Sequence, residues 1–263
     1  MKVEEKTKKG SQLWNSFKIA FSMYSKIPMP QSEWTRENMR YIMCFYPLIG
    51  MVIGGLVWLW GTYGSGLASS HLFYSVVLLL IPVAVTGGIH LDGLLDTADA
   101  LNSYQPRERK LEILKDSNSG AFAIITGLVY FILYFGVMSE VSGKTIGVIC
   151  ISFVLSRSLS GYSVVSFKKA RKTGLAVAFA NPAQKKVVQF TMIGYIAVCA
   201  LVLLLLDLIA GAAVLVGAFG VFAYYHHMAM KYFGGITGDL CGFFTQISEL
   251  AMAMLAVVAA ALL

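Results

Sequence analysis

The chain has 263 residues, 57% of them hydrophobic and only 13% charged, with a mean hydropathy of +0.69. That balance excludes an ordinary soluble domain, and the apolar runs leave no room for a second core. The net charge of +7 does not point to nucleic acid, because the basic residues lie between apolar segments and form no patch interleaved with aromatics.

One membrane-embedded domain over 11–263 is therefore expected, behind a flexible tail at 1–10 (MKVEEKTKKG). No signal peptide is read, since the first long apolar run begins about forty residues in. Between 11 and 30, Leu13, Trp14, Phe17, Phe21 and Tyr24 share one helical face, with Asn15, Lys18, Ser22 and Lys26 largely elsewhere. This predicts an amphipathic helix in the membrane interface, ended by Pro28 and Pro30. Seven apolar segments follow at 42–62, 71–91, 121–138, 145–166, 187–206, 208–230 and 244–263. Each is close to the ~20 residues that cross the hydrocarbon, so the fold expected is all-α and polytopic, with about seven transmembrane helices. Gly50 and Gly54 form a GxxxG in the first span, a signal of close helix packing. The four cysteines, Cys44, Cys150, Cys199 and Cys241, are far apart and read as small buried apolar residues.

With the N terminus placed inside, loops 92–120, 167–186 and 231–243 fall inside as well. Of the 21 Lys and Arg, only Lys144 then lies outside, with Arg157 within a span. Every polar constellation thus falls on the cytoplasmic side of a cell membrane.

The chief constellation is Gly87–Gly120, GGIHLDGLLDTADALNSYQPRERKLEILKDSNSG. On a helix, Asp96 lies about 40° from Asp92 and Asp99 about 20° on its other side, so three carboxylates crowd one face. At a spacing of ~6 Å and an effective dielectric of ~20, each like-charge pair costs roughly 3 kcal/mol. Nothing on that face supplies a positive charge, and oxygen-only donors point to Mg²⁺. Pro106 opens a second helix, Arg107–Asp116, and a hairpin through Asn102–Pro106 would return Asp116 to the metal. Ser117–Gly120 then starts the next span, either as an ordinary cap or as a seat for an anion such as phosphate.

Other polar residues are read more cautiously. His90 points about 160–180° from the aspartates and is expected to pack or to support them. Arg157, mid-span, needs a partner: an ion pair, with Glu249 as the named candidate, or a phosphate. In GGITGDLCG (Gly234–Gly242) the glycines break the helix and let backbone approach a ligand, with Asp239 offering a metal or substrate contact. No Walker A motif, nucleophile elbow or zinc-spaced set is present. A magnesium–aspartate cluster beside arginines and glycine loops suits phosphoryl or nucleotidyl-type transfer with one membrane-soluble partner.

HLDGLLDTADAL, RKLEILKDSNSG, Pro28–Met29–Pro30, FYPLIG (Phe45–Gly50), Ser156–Arg157 and GGITGDLCG followed by Glu249 together resemble the cobalamin synthase (adenosylcobinamide-GDP ribazoletransferase) family over about 11–255. The resemblance implies an integral membrane, Mg²⁺-dependent enzyme of late vitamin B12 assembly. It would join adenosylcobinamide-GDP to α-ribazole or its 5′-phosphate and release GMP. Asp92, Asp96, Asp99 and Asp116 would then be the catalytic and metal-binding acids, one of Asp99 or Asp116 taking the hydroxyl proton. Asp239 also corresponds to an acid of that family's pattern. Substrate contacts are expected from Arg107, Arg109, Lys115, Asn118, Arg157, Gly235, Thr237, Gly238 and Asp239. Partners would be the two substrates, the lipid bilayer, and a second copy or other B12-assembly enzymes. A looser resemblance to CDP-alcohol phosphotransferases lacks the Ala-Arg after the glycine and the second D-x-x-x-D pair. A cation-coupled transporter would need its carboxylates near the midplane, and a non-catalytic scaffold would give no reason for three stacked acids.

Overall fold

The computed structural model describes residues 2–116 and 118–262, with side chains from residue 10 onward. Met1 and Leu263, the ends of the expected tail and last span, lie outside the described residues, as does the expected cap residue Ser117. Among the described residues the secondary structure is helical apart from one isolated bridge, Lys169 to Ile236. The helices are α1 (Lys2–Tyr24), α2 (Ile42–Tyr63), α3 (His71–Thr86), α4 (Ile89–Asn102), α5 (Arg107–Ile113), α6 (Ala121–Ser139), α7 (Ile146–Ser166), α8 (Leu175–Ala180), α9 (Lys185–Leu206), α10 (Leu208–Met228) and α11 (Gly238–Ala261). Six of them, α2, α6, α7, α9, α10 and α11, are long and apolar enough to cross a membrane. Helices α3 and α4 qualify only as a pair, and the pair is bent by 93°. The chain is a multi-pass membrane protein with six or seven spans.

The bend corrects the expected second span, 71–91. Gly87 and Gly88 take φ of +64° and +80°, left-handed conformations that L side chains avoid, so helix α3 stops at Thr86. The last span is also corrected, because α11 begins at Gly238 and not near 244. Thr237 makes that early start work: its Oγ1 accepts the Leu240 N–H at 3.2 Å. Asp239 consequently occupies a first helical turn and not a loop.

Helix α7 is the axis of the bundle, buried along most of its length against α2, α9 and α11. The expected GxxxG contact is present. A Cβ on Gly50 would stand 2.3 Å from Phe153 O, and one on Gly54 2.6 Å from Cys150 O, so α2 and α7 meet backbone to backbone and run antiparallel. Helix α1 buries Ile19, Ala20 and Phe21 against the bundle and leaves Trp14 exposed, as an interfacial amphipathic helix would.

Helix α4 lies across the ends of two spans. A Cβ on its Gly93 would meet Asp239 O at 2.5 Å, and one on Gly242 would meet His90 O at 3.0 Å, both in the first turns of α11. Further along, the Asp99 carboxylate accepts N–H bonds from Gly120 at 2.5 Å and Ala123 at 2.9 Å, at the start of α6. α4 is thus a crossbeam over the N-terminal ends of α11 and α6, and is not itself one of the six long apolar helices.

Candidate active site

The interlocked glycines of HLDG and GDLCG decide where the acids meet. Because Gly93 and Gly242 have no side chains, the backbones of α4 and α11 touch, and Asp92 and Asp96 come up beside Asp239. The backbone that these glycines admit at Gly242 is that of α4, where a ligand was expected. The carboxyl of half-buried Asp96 is pushed up to about 7, first by burial and then by the negative charges of Asp92, Asp239 and Asp99. The crowding expected from helical spacing is real, and a fourth acid distant in sequence joins it.

Asp99 has a second occupation. With both oxygens on the α6 amides, it is the anion at that helix N-terminus, where a phosphate had been one expectation. Gly120 is required there, since a Cβ would sit 2.7 Å from Asp99 Oδ1. Asp116 is not brought back to the cluster. Its Oδ1 accepts from Asn118 N at 3.0 Å and Nδ2 at 2.9 Å in an exposed turn, and Arg109 is the charged group that acts on it. That occupies Asn118 as well. Arg109 pairs with Glu112 at 2.6 Å on the surface, and Lys115 is exposed.

Arg157 resolves to the first of its two expected alternatives. Its Nη1 donates to Glu249 Oε1 at 2.5 Å and to Phe153 O at 2.9 Å, fully buried between α7 and α11. Ser156 Oγ donates to the same carboxylate oxygen at 2.9 Å. His90, as expected, is a buried packing residue; its Nε2 lies 2.8 Å from the Tyr46 hydroxyl.

The turn Gly234–Thr237 ties α11 to the loop after α7. Gly234 takes φ +69° and lies under the Arg107 guanidinium. A Cβ on Gly235 would stand 2.5 Å from Lys169 C, where Ala170 N–H donates to Ile236 O and Ile236 N–H to Lys168 O. This clamp brings in two cations that were not singled out from sequence. Arg171 is half-buried, feels the charge of Asp239, donates to Leu111 O, and leaves its buried Nε without a partner. Burial pushes Lys169 down to about 8. The basic run Phe167–Gly174 was visible in the sequence, but nothing local tells which of its cations folds back over α11.

Two cavities of about 100 Å³ each share Leu175, Ala176, Gly238 and Asp239. The inner one runs into the bundle past Tyr24, Tyr46, His90 and Asp92. The outer one holds Arg171, Thr173 and Thr237. Thr237 Oγ1 donates to Asp239 Oδ2 at 3.2 Å, so the acid is oriented at the junction.

No three His, Cys, Asp or Glu side chains among the described residues close into a cage around a metal ion. A hard cation such as Mg²⁺ does not need one, because it is commonly held by one or two carboxylates together with water and substrate phosphate. The oxygen-only set around Asp96, repelling itself, fits that mode.

The chain is 48% identical over 246 residues to the adenosylcobinamide-GDP ribazoletransferase of Lachnoclostridium phytofermentans, covering 94% of each chain. It is 32% identical to proteins of the same name from Clostridium perfringens, over 90% of this chain and 94% of the relative, and from Pseudomonas putida, over 90% and 96%. No solved structure matches. A family described as cobalamin-5-phosphate synthase (CobS) matches residues 16–258, and with those relatives this match shows that the chain belongs to that family.

Proposed function

We propose that the chain is an adenosylcobinamide-GDP ribazoletransferase of the cobalamin pathway. It transfers the phosphocobinamide group to α-ribazole or α-ribazole 5′-phosphate and releases GMP at the cytoplasmic face of the cell membrane. The observation that carries this reading is that Asp239, which lines both cavities, stands between Asp92 of the inner one and Arg171 of the outer one, with Asp96 close enough to feel the charges of Asp92 and Asp239.

Asp92 and Asp96, with Asp239 beside them, would hold Mg²⁺, which would neutralise diphosphate charge and favour departure of GMP. Arg171, which lines the outer cavity, binds and orients the diphosphate, and Lys169 adds positive charge nearby. Asp239, steered by Thr237 and lining both cavities, takes the proton from the attacking ribose hydroxyl. This assignment replaces Asp99, whose oxygens face the α6 amides, and Asp116, which stands apart. In the step, the ribose oxygen bonds to the cobinamide-side phosphorus, the diphosphate P–O bond breaks, and GMP leaves with the electron pair.

A transporter reading has no support at the midplane, where Glu249 is closed against Arg157. The deciding experiment incubates purified protein with adenosylcobinamide-GDP and α-ribazole. GMP release that requires Mg²⁺ and is lost in Arg171→Ala is expected. Release unaffected by chelation removes the metal role, and no release at all removes the activity.

A further inference from the structure

On the face of α4 turned away from the acids lies a groove of about 620 Å³, far larger than either cavity at the acid cluster. Ala98, Leu101 and Asn102, which line it, stand about 120–160° from Asp96 around that helix. Its other walls include Thr126 of α6, Tyr224 of α10 and Phe243 of α11, so it lies between two apolar helices that both pack on α11. Thr126 and Tyr224 are each within two turns of the helix end nearest α4. That places the groove at the depth of lipid head groups. Away from α4 the two walls are apolar or bare. Val129 and Leu133 share the Thr126 face of α6 and are exposed. On α10, Gly220 lies one turn from Tyr224 and has open space where a side chain would stand. An acyl chain suits such walls, where a nucleotide or sugar would strand its polar groups.

The α4 end of the groove is cationic. Lys110 lines it, and its Nζ donates to Ala100 O at 3.0 Å and Leu101 O at 2.9 Å, which leaves the third ammonium donor over. The same Nζ stands 5.7 Å from the Tyr232 ring centroid, and Lys231 Nζ stands 5.1 Å from it. Lys231 and Tyr232 belong to a π-helical turn, Ala229–Phe233, that follows α10, a widened turn that recurs at functional sites. Among the described residues no carboxylate lines the groove. Tyr104, which completes the lining, is 89% exposed and held at φ +53°, an uncommon conformation for a bulky residue. Tyr104, Tyr224 and Tyr232 thus surround the groove at the level where amphipathic rings favour the membrane interface.

We propose that this groove binds one anionic phospholipid from the leaflet on the α4 side, with its phosphate at Lys110 and Lys231 and one acyl chain between α6 and α10. Basic pockets between spanning helices suit such head groups, because a net negative lipid answers cations that have no acid beside them. The carboxamides of Asn102 and Gln105, also in the lining, meet the glycerol and head-group oxygens. The lipid joins α5, through Lys110, to the end of α10.

The test uses the full chain in detergent, titrated with palmitoyl-oleoyl phosphatidylglycerol or its phosphatidylcholine counterpart and read by native mass spectrometry. One phosphatidylglycerol should be retained per chain, about tenfold more tightly than phosphatidylcholine, as two lysines facing a net negative head group imply. Lys231→Glu, a change at an exposed position, should bring the two lipids to nearly equal affinity. Thr126→Trp should fill the groove and weaken retention of both lipids about tenfold. Should that variant not fold, Lys231→Glu and the lipid comparison on wild type still decide. Equal retention of the two lipids by the wild type, or none, overturns the proposal. A phosphatidylglycerol preference that survives Lys231→Glu also overturns it, since the lipid would then sit elsewhere around the bundle. Displacement of bound phosphatidylglycerol by GDP overturns it as well, because the groove would then belong to a nucleotide.

Discussion

Two sets of carboxylates in this molecule differ in one respect. Glu249, deep between α7 and α11, has an arginine at 2.5 Å and a serine hydroxyl at 2.9 Å. Asp92, Asp96 and Asp239, at the α4 crossing, have mainly one another, and Arg171 is the cation that acts on Asp239. The first set has its counter-charge within the protein, where the pair ties α7 to α11. The second is held in mutual repulsion by glycine contacts, and a ligand that brings positive charge would relieve it. Location in an apolar chain does not by itself separate structural from functional acids; the presence of a resident counter-charge does.

The sharpest way to break the comparison is to exchange the outcomes. Glu249→Ala leaves a buried guanidinium uncompensated and should destabilise the bundle by about 3–5 kcal/mol, read as a fall in Tm in detergent, with the residual folded fraction still active. Asp92→Asn should do the reverse, lowering transfer about 10²–10³-fold while the Tm of metal-free protein holds or rises. A Tm loss in Asp92→Asn to match that of Glu249→Ala would erase the distinction. Gly93→Ala tests the contact that forces the acids together. Its Cβ would lie 2.5 Å from Asp239 O, so α4 must lift, at a cost of about 1–3 kcal/mol and with weaker Mg²⁺ dependence of turnover.

The smallest effect is one of pH. Asp96 is raised from 3.8 to about 7, so the folded, metal-free protein binds its proton more tightly than the unfolded chain. The stabilisation is fully present below about pH 4 and is lost as pH rises through about 7. Thermal melts of metal-free protein should therefore decline across that window, Mg²⁺ should restore them at neutral pH, and Asp96→Asn should flatten the profile. A flat wild-type profile would mean that the acids are not in contact.

Much of this was legible in the sequence. The spans follow from hydropathy alone, and the GxxxG of α2 and the need of Arg157 for a partner follow from the cost of bare backbone contact and lone charge in hydrocarbon, while the choice of Glu249 over a phosphate does not. Two helix limits were not legible. The break at Gly87–Gly88 interrupts an otherwise continuous apolar run, and the polar first turn of α11 looks like a loop until Thr237 caps it. The acid face of α4 could be read from its period, but the arrival of Asp239 depends on α11 crossing at Gly93. The role of Asp99 as a cap for α6, and that of Arg171 over the junction, are tertiary facts with no local periodicity to announce them.

The crossbeam geometry of α4 carries one more implication. A row of acids mounted upright within a span would expose successive charges at different depths, and a diphosphate would have to travel inward to reach the last of them. Laid over the ends of α6 and α11, the row is carried by a helix that is not one of the six long apolar ones. Under the activity proposed above, a large, water-loving donor would then dock sideways, react and depart without its bulk entering the lipid.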